Sequence, residues 1–287
     1  MRKIKTKTRY IAIILFIILI TPLFIRFFNN RRYINKNKET FATLQTIIEQ
    51  QDFDRYVINL PKNKERLEAI TQIYNNSDLA EIPFIRFEAV NGKEIDIRPY
   101  VSDRVYEGIM DIDKTKERYH HSQITRGAVG CYLSHLGIYE KIKQSSKPYA
   151  LVLEDDAFFD ADLYQTAIRN ILQTIPPDWD IIMLGRMTFD PSHEVINHET
   201  YLELRKFWGT YGYLINQTGV NKMLTYANIP IDDQIDAAMA KLARENILNI
   251  YAPIPEYIKM NGTYISEIQQ PVTTKEGINP DIDPYVK

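Results

Sequence analysis

The stretch YALVLEDDAFF, Tyr149 to Phe159, decides the reading of this chain. Tyr149–Leu153 is a short apolar run that reads as a buried strand, and three acids, Glu154, Asp155 and Asp156, follow it at once. Consecutive carboxylates repel one another and are costly in a folded protein unless a cation sits among them. Carboxylate oxygens suit Mg²⁺ or Mn²⁺, and such ions usually keep positions for phosphates and water. A nucleoside diphosphate is therefore a natural partner for this segment. The plainer alternative is a solvated acidic turn before a helix over 162–174, for which Asp160 already offers a cap.

Outward from this run the chain alternates between strand-like and helix-like segments. RYVINL (55–60) is an apolar run closed by Pro61, and Asn63 is expected to cap a helix reaching Tyr74. PFIRFEAV (83–90) reads as a strand ended by the Asn91-Gly92 turn. Residues 93–125, charged and without clear periodicity, are expected to form an irregular loop able to close over a ligand, with Tyr119, His120, His121 and the region of Trp208 as sugar-contact candidates. A helix is predicted over 127–143, strands over 180–184, 212–216 and 248–252, and helices over 218–227 and 233–245. The pattern implies an α/β layer fold with a largely parallel sheet. Ligands of such sheets bind beyond the carboxyl ends of the strands, where the acid triplet falls.

Two further constellations stand out. IPIDDQIDAAM (229–239) carries Asp232 and Asp233 at a helix start, where capping and the helix dipole already favour acids. A group transfer to a hydroxyl also needs a base, and either acid is a candidate; Asp236, one turn on, reads as an exposed helix residue. GCYLSHLGIYE (130–140) sets Ser134 and His135 inside an apolar helix, where a histidine is more often a satisfied core residue than a ligand. Neither a phosphate-binding Gly-rich loop nor a nucleophile elbow is present.

The formal net charge of −2 conceals a division of the chain. Residues 1–38 hold ten basic residues and no acid, whereas the remaining 249 carry 25 basic and 37 acidic groups, a net of −12. An acidic body argues against nucleic acid as a partner. With 45% hydrophobic residues the body can bury a core, and a single cysteine, Cys131, excludes an internal disulfide framework and a Cys-based zinc finger. Between Arg9 and Arg26 lie sixteen uncharged, almost wholly apolar residues. No small-residue cleavage site follows them, so an uncleaved membrane anchor is expected rather than a signal peptide. The expected organisation is a basic cytosolic tail (1–9), a transmembrane signal-anchor (10–28), a stem (29–52), one catalytic domain (53–270) and a C-terminal tail (271–287). Flanking charges are nearly balanced. The sequons at Asn75, Asn216 and Asn261 favour a lumenal or otherwise non-cytosolic body, giving a single-pass type II topology.

Taken together, YVINLPKNKERLE, FEAVNGKE, GAVGCYLSHLGIYE, YALVLEDDA, DWDIIMLG, WGTYGYLIN, PIDDQ and APIPEYI with Ser266-Glu267-Ile268 resemble glycosyltransferase family 25 across residues 56–268. This group contains lipooligosaccharide and collagen-type galactosyltransferases. The resemblance implies a GT-A-like fold, a UDP-sugar donor and Mn²⁺ or Mg²⁺ held by Glu154, Asp155 and Asp156, with Asp155 also on the donor. It implies further that Asn59 and Arg66 lie near the nucleotide, that Ser134 and His135 serve the donor side, and that Asp232 or Asp233 is the base. One departure is Arg126-Gly127-Ala128-Val129, where the family usually has an acid before its helix motif.

The expected activity is transfer of galactose or glucose to a hydroxyl of a glycan, lipid-linked or protein acceptor by direct, inverting displacement. The competing readings are a nucleotidyltransferase, which would release pyrophosphate, and an inactive membrane-tethered sugar-binding protein. A glycosidase is disfavoured because an acid triplet suits a metal better than a separated carboxylate pair.

Overall fold

A computed structural model describes residues 53–120, 122–187, 195–264, 266–268 and 270. The expected basic tail, membrane span, stem and C-terminal tail lie outside the described residues, as does His121. Among the described residues no helix is long and apolar enough to cross a membrane.

The expected alternation is present in the body, with additions. Strand β1 (Asp54–Asn59) buries five of its six residues. Helix α1 (Lys64–Asn75) follows, and although Asn63 occupies its N-cap position, the Asn63 side chain makes no capping bond. Strand β2 (Ile85–Glu88) pairs parallel to β1. Residues 93–125 are not the irregular loop expected: they hold a 3₁₀ turn (Arg98–Tyr100) and helix α2 (Asp103–Thr115). Val105, Ile109 and Ile112 recur at four- and three-residue spacing and are buried, while Asp103, Arg104, Glu107, Asp111 and Lys114 face solvent. Ser102 caps this helix through Val105 N–H.

Helix α3 (Arg126–Gln144) is capped by Thr125, whose Oγ1 accepts from Ala128 N–H at 3.1 Å. Ala128, Tyr132, His135, Tyr139 and Ile142 form its buried stripe; burying Ile142 alone contributes about 1.5–3 kcal/mol. Next come β3 (Tyr149–Glu154), β4 (Ala157–Phe159), a π-type segment (Leu163–Ile168) that runs into α4 (Arg169–Thr174), and β5 (Ile181–Met187). Strands β6 (Val195–Asn197), β7 (Tyr201–Leu204) and β8 (Trp208–Asn216) precede α5 (Gln217–Tyr226) and α6 (Ile235–Arg244). Strands β9 (Ile250–Pro253) and β10 (Ile258–Met260) complete the described chain.

The main sheet has the order β2-β1-β3-β8-β5-β9-β7-β6, and β10 pairs with β4 in a second, two-stranded sheet. The expectation of a largely parallel sheet is corrected. β1 is parallel to β2 and β3, and β5 to β9, but β8 is antiparallel to both β3 and β5, and β7 to both β6 and β9. Among the described residues no helix separates β5 from β8, so none is seen there that could carry the crossover a parallel β8 would need. Alternate residues Tyr56, Ile58, Ala150, Val152, Ile181, Met183, Tyr213 and Ile215 share one core with α3, α5 and α6.

One sequon is structurally engaged. Asn216 Oδ1 accepts from Gly219 N–H at 2.8 Å to cap α5, and its Nδ2 donates to the Trp179 carbonyl. A glycan on Asn216 would break that arrangement.

Candidate active site

The site assembles at one edge of the sheet because β1 and β3 run parallel in register, with Ile58 opposite Glu154. Asn59 and Asp155 therefore leave the sheet side by side. Asn59 Nδ2 donates to Asp155 Oδ2 at 2.7 Å and to the Asn63 carbonyl at 3.0 Å, while its Oδ1 accepts from Arg86 Nε at 3.0 Å. Arg66, in the first turn of α1, reaches Asp155 Oδ1 at 3.3 Å. Both oxygens of Asp155 are thus held, yet burial still raises its pKa against the opposing effects of Asn59 and Arg66.

Glu154 is held differently. Its Oε1 accepts from Thr210 Oγ1 at 2.5 Å and lies 3.4 Å from His135 Nε2. His135 Nδ1 is 2.7 Å from the Tyr213 hydroxyl, which lies 2.9 Å from that of Tyr139. Burial pushes Glu154 towards the protonated form, but His135, Thr210 and Arg66 outweigh it and keep its pKa below the ordinary carboxylate range. Thr210 reaches Glu154 only because β8 is antiparallel, which brings the amino end of that strand to the carboxyl end of β3.

Asp156 is the unsatisfied member. Its Oδ1 is buried without a hydrogen-bond partner. Desolvation, then the charges of Glu154 and Asp155, push its pKa up to about 8. Three adjacent acids, one with an orphaned oxygen, form a donor set that fits a divalent cation. Cys131, His135 and Glu154 also bring one ligand atom each within 4.8 Å of one another, but both ring nitrogens of His135 are already engaged, Nδ1 by Tyr213 and Nε2 by Glu154.

The opposite wall is Asp236, at the start of α6. Gly209 N–H donates to its Oδ2 and Ala237 N–H to its Oδ1, each at 2.8 Å. Burial raises its pKa, and the two amides offset this only in part. Two hollows meet along this arrangement. One, of about 680 Å³, is lined by Arg66, Asn91, Lys93 and Glu267 among others. The second, of about 500 Å³, is lined by Gly209, Thr210, Gln234 and Asp236. Glu154 and Asp156 border both.

The signature of Glycosyltransferase family 25 (LPS biosynthesis protein) matches residues 53–239. The chain belongs to glycosyltransferase family 25. A glycosyltransferase 25 family member of Aedes aegypti is 28% identical over 203 residues, covering 68% of this chain and 32% of that protein. Procollagen galactosyltransferase 1-A of Xenopus laevis is 30% identical over 211 residues, covering 69% and 33%. The chain thus spans about a third of the length of the curated relatives it matches. The crystal structure of a glycosyltransferase involved in glycosylation of the major capsid of PBCV-1 superposes with a TM-score of 0.38 at 8% identity, covering 75% of this chain and 95% of that one, too loosely to carry an argument.

Of the residues that sequence reading singled out, Asn59, Arg66, Glu154, Asp155 and Asp156 converge in space. His135 joins them from behind, fully buried, as a partner of Glu154. Ser134 is also fully buried, and its hydroxyl is engaged: it donates to the Gly130 carbonyl at 2.7 Å and accepts from Val90 N–H at 2.9 Å, tying the loop after β2 to α3. That seam is tight, since a Cβ on Gly130 would lie 2.4 Å from the Val90 carbonyl oxygen and 2.6 Å from the Gly92 nitrogen.

Asp232 and Asp233 are set apart from both hollows. Asp232 is exposed, accepts from Ser102 Oγ at 2.5 Å, and lies 3.5 Å from Arg104. A bridge between Val101 and Ile231 ties this segment to the start of α2. The acid on the far wall is instead Asp236, which the sequence reading took for exposed. A signal for it exists in the alanines at 237, 238, 240 and 243, which mark a helix enclosed over a wide arc. Arg126, at the family's usual acid-containing segment, pairs with Asp113 at 2.7 Å and so joins α3 to α2.

Proposed function

We propose that this chain is a membrane-anchored hexosyltransferase on a GT-A-like scaffold, moving galactose or glucose from a UDP-sugar to a hydroxyl of a glycan, glycolipid or protein acceptor. Family membership supports the reaction class. The observation that carries the reading further is the meeting of two hollows on Glu154 and Asp156, one bordered by cations and the other by a half-buried carboxylate. The cationic hollow suits a nucleoside diphosphate, whose charge Arg66 and Lys93 would offset. The second hollow suits the sugar and the acceptor.

Asp236 is our assignment for the base, in place of Asp232 or Asp233. It borders the hollow, is fixed by two backbone amides, and has a raised pKa that improves its affinity for a proton. Attack by the acceptor oxygen on the face opposite the departing diphosphate inverts the anomeric carbon. Glu154, Asp155 and Asp156 would hold Mn²⁺ or Mg²⁺, which supplies positive charge beside the leaving diphosphate when bound. His135 and Thr210 are positioning residues for Glu154. In this reading residues 10–28 anchor the protein with its N-terminus cytosolic, and the stem 29–52 holds the catalytic body on the non-cytosolic side.

The test uses the full chain in detergent with a panel of UDP-hexoses and Mn²⁺, measuring UDP release and sugar transfer with and without chelator. Transfer that is lost on chelation and in Asp156→Ala is the expected result. Pyrophosphate release in place of UDP would sink the reading in favour of nucleotidyl transfer, and turnover indifferent to chelator would remove the metal.

A further inference from the structure

Two cations, Arg66 and Lys93, line the first hollow, and a third, Lys62 on the turn after β1, pairs with Glu267, which also lines it. Arg66 is committed to Asp155. Lys62 and Lys93 both turn to Glu267, with Lys62 Nζ 2.9 Å from Oε1 and Lys93 Nζ 3.6 Å from Oε2. Glu267 belongs to none of the elements that build the hollow. It lies on the segment after β10 that crosses the cleft, where Ser266 and Ile268 border both hollows.

The main chain of this segment is pinned. Thr125 Oγ1 donates to the Ile268 carbonyl at 2.6 Å. A Cβ on Gly127 would lie 2.2 Å from the Glu267 carbonyl oxygen, so the segment touches the first turn of α3. The carboxylate itself is not pinned. Among the described residues its ion-pair partners are the two lysines, each side chain 46% exposed, and its own side chain is 29% exposed. Exposed pairs of this kind hold weakly, at about 0.2–1 kcal/mol each. Burial works against ionisation of Glu267, but Lys62, Lys93 and Arg66 outweigh it and hold its pKa below the ordinary range.

We propose that Lys62 and Lys93 form an anion site for the diphosphate of a nucleotide donor, and that Glu267 is the resident counter-ion which the diphosphate displaces. The inference rests on the donor reading given above. A diphosphate brings more charge and more acceptor oxygens to the two lysines than one carboxylate does, so it wins the exchange. The Glu267 side chain swings outward while the pinned main chain stays. Before binding, the carboxylate keeps the lysines from repelling each other and deters weaker anions, so that only a ligand with a second hold on the cleft pays for its removal.

The experiment is calorimetric titration of the full chain in detergent with UDP and, separately, inorganic pyrophosphate, comparing wild type with Glu267→Gln. The Gln variant keeps the shape and removes the competing charge, so both probes should bind about three- to tenfold more tightly. Adding Lys62→Met and Lys93→Met to Glu267→Gln should abolish that gain. Wild type that binds UDP while Glu267→Gln binds it equally or more weakly overturns the counter-ion and leaves the donor reading standing. Failure of both proteins to bind either probe overturns both readings. If Glu267→Gln does not fold, Lys62→Met with Lys93→Met in the wild-type background decides: UDP binding weakened by about three- to tenfold supports the site, and unchanged affinity overturns it.

Discussion

Both hollows are bordered by carboxylates drawn in from solvent, Asp155 buried and Asp236 half-buried, but they hold them by different means. In the first, Asp155 faces an arginine and an asparagine amide, so its charge has a side-chain cation and two donors. In the second, Asp236 faces only the backbone N–H groups of Gly209 and Ala237. Burial raises the pKa of both. A carboxylate fixed against a guanidinium gives an anchored charge, around which phosphates and a cation can be arranged. A carboxylate fixed only by amides keeps its orientation without a counter-charge and so binds a proton more readily. On the proposed reading the first hollow binds the donor and the second accepts a proton.

The largest effect should come from breaking the second hollow. Asp236→Asn keeps the size of the side chain and one of the two amide contacts, since its single carbonyl oxygen can accept from only one N–H, and it removes the base. Steady-state kinetics should show kcat lowered about 10²- to 10⁴-fold with donor binding little changed. Asp232→Asn is the contrasting variant and should stay within about threefold of wild type, since Asp232 faces Ser102 and Arg104. A result with those effects exchanged would return the base to Asp232 and undo the distinction between the hollows.

The wall between α3 and the loop after β2 tests whether the first hollow depends on close backbone packing. Gly130→Ala places a methyl against Val90 and Gly92 and should destabilise by about 1–3 kcal/mol. For a body of this size, that lowers the thermal midpoint by roughly 2–4 °C per kcal/mol. Arg66→Met should raise the donor KM about tenfold while leaving kcat less affected, because Arg66 pairs with Asp155 in the first hollow, where the proposed reading puts the donor's diphosphate. An equal loss in kcat and kcat/KM would instead assign Arg66 a role confined to the transition state.

The first hollow was legible in sequence and the second largely was not, for a physical reason. Glu154 ends β3 with Asp155 and Asp156 directly after it, and Asn59 ends β1, so although these residues are far apart in the chain, each strand end carries its own part of the site and parallel pairing brings the two ends together. The second hollow depends on β8 entering antiparallel, which alone brings Thr210 and Gly209 to the end of β3. Strand periodicity shows that β8 exists but not its direction. The helix at 103–115 was hidden similarly: three buried residues in thirteen, diluted by charge, give little pattern until Ser102 and the Val101–Ile231 bridge fix its position.

The smallest effect concerns Asp156, whose orphaned oxygen joins the hollows. Its pKa of about 8 in the metal-free protein lies above the roughly 3.9 of an unfolded aspartate. Below about pH 4 both states hold the proton and its contribution to stability is fully present. Between about 4 and 8 the unfolded chain has released the proton and the native state retains it, so that contribution is lost as pH rises towards 8. Asp155, Asp236 and Glu256 act in the same direction, while Glu154 and Glu267, with lowered pKa values, act oppositely. The informative quantity is therefore the difference between wild type and Asp156→Asn in thermal midpoint across pH 4 to 8, measured in chelator. The Asn variant, which carries no charge to desolvate, should gain on wild type as pH rises. Adding Mn²⁺ should stabilise wild type most at the upper end of the range, because only there is the ionised ligand otherwise uncompensated. A midpoint difference that does not vary with pH would mean that Asp156 already has a counter-charge in the metal-free protein, and the two hollows would then meet at a satisfied residue instead of an open ligand.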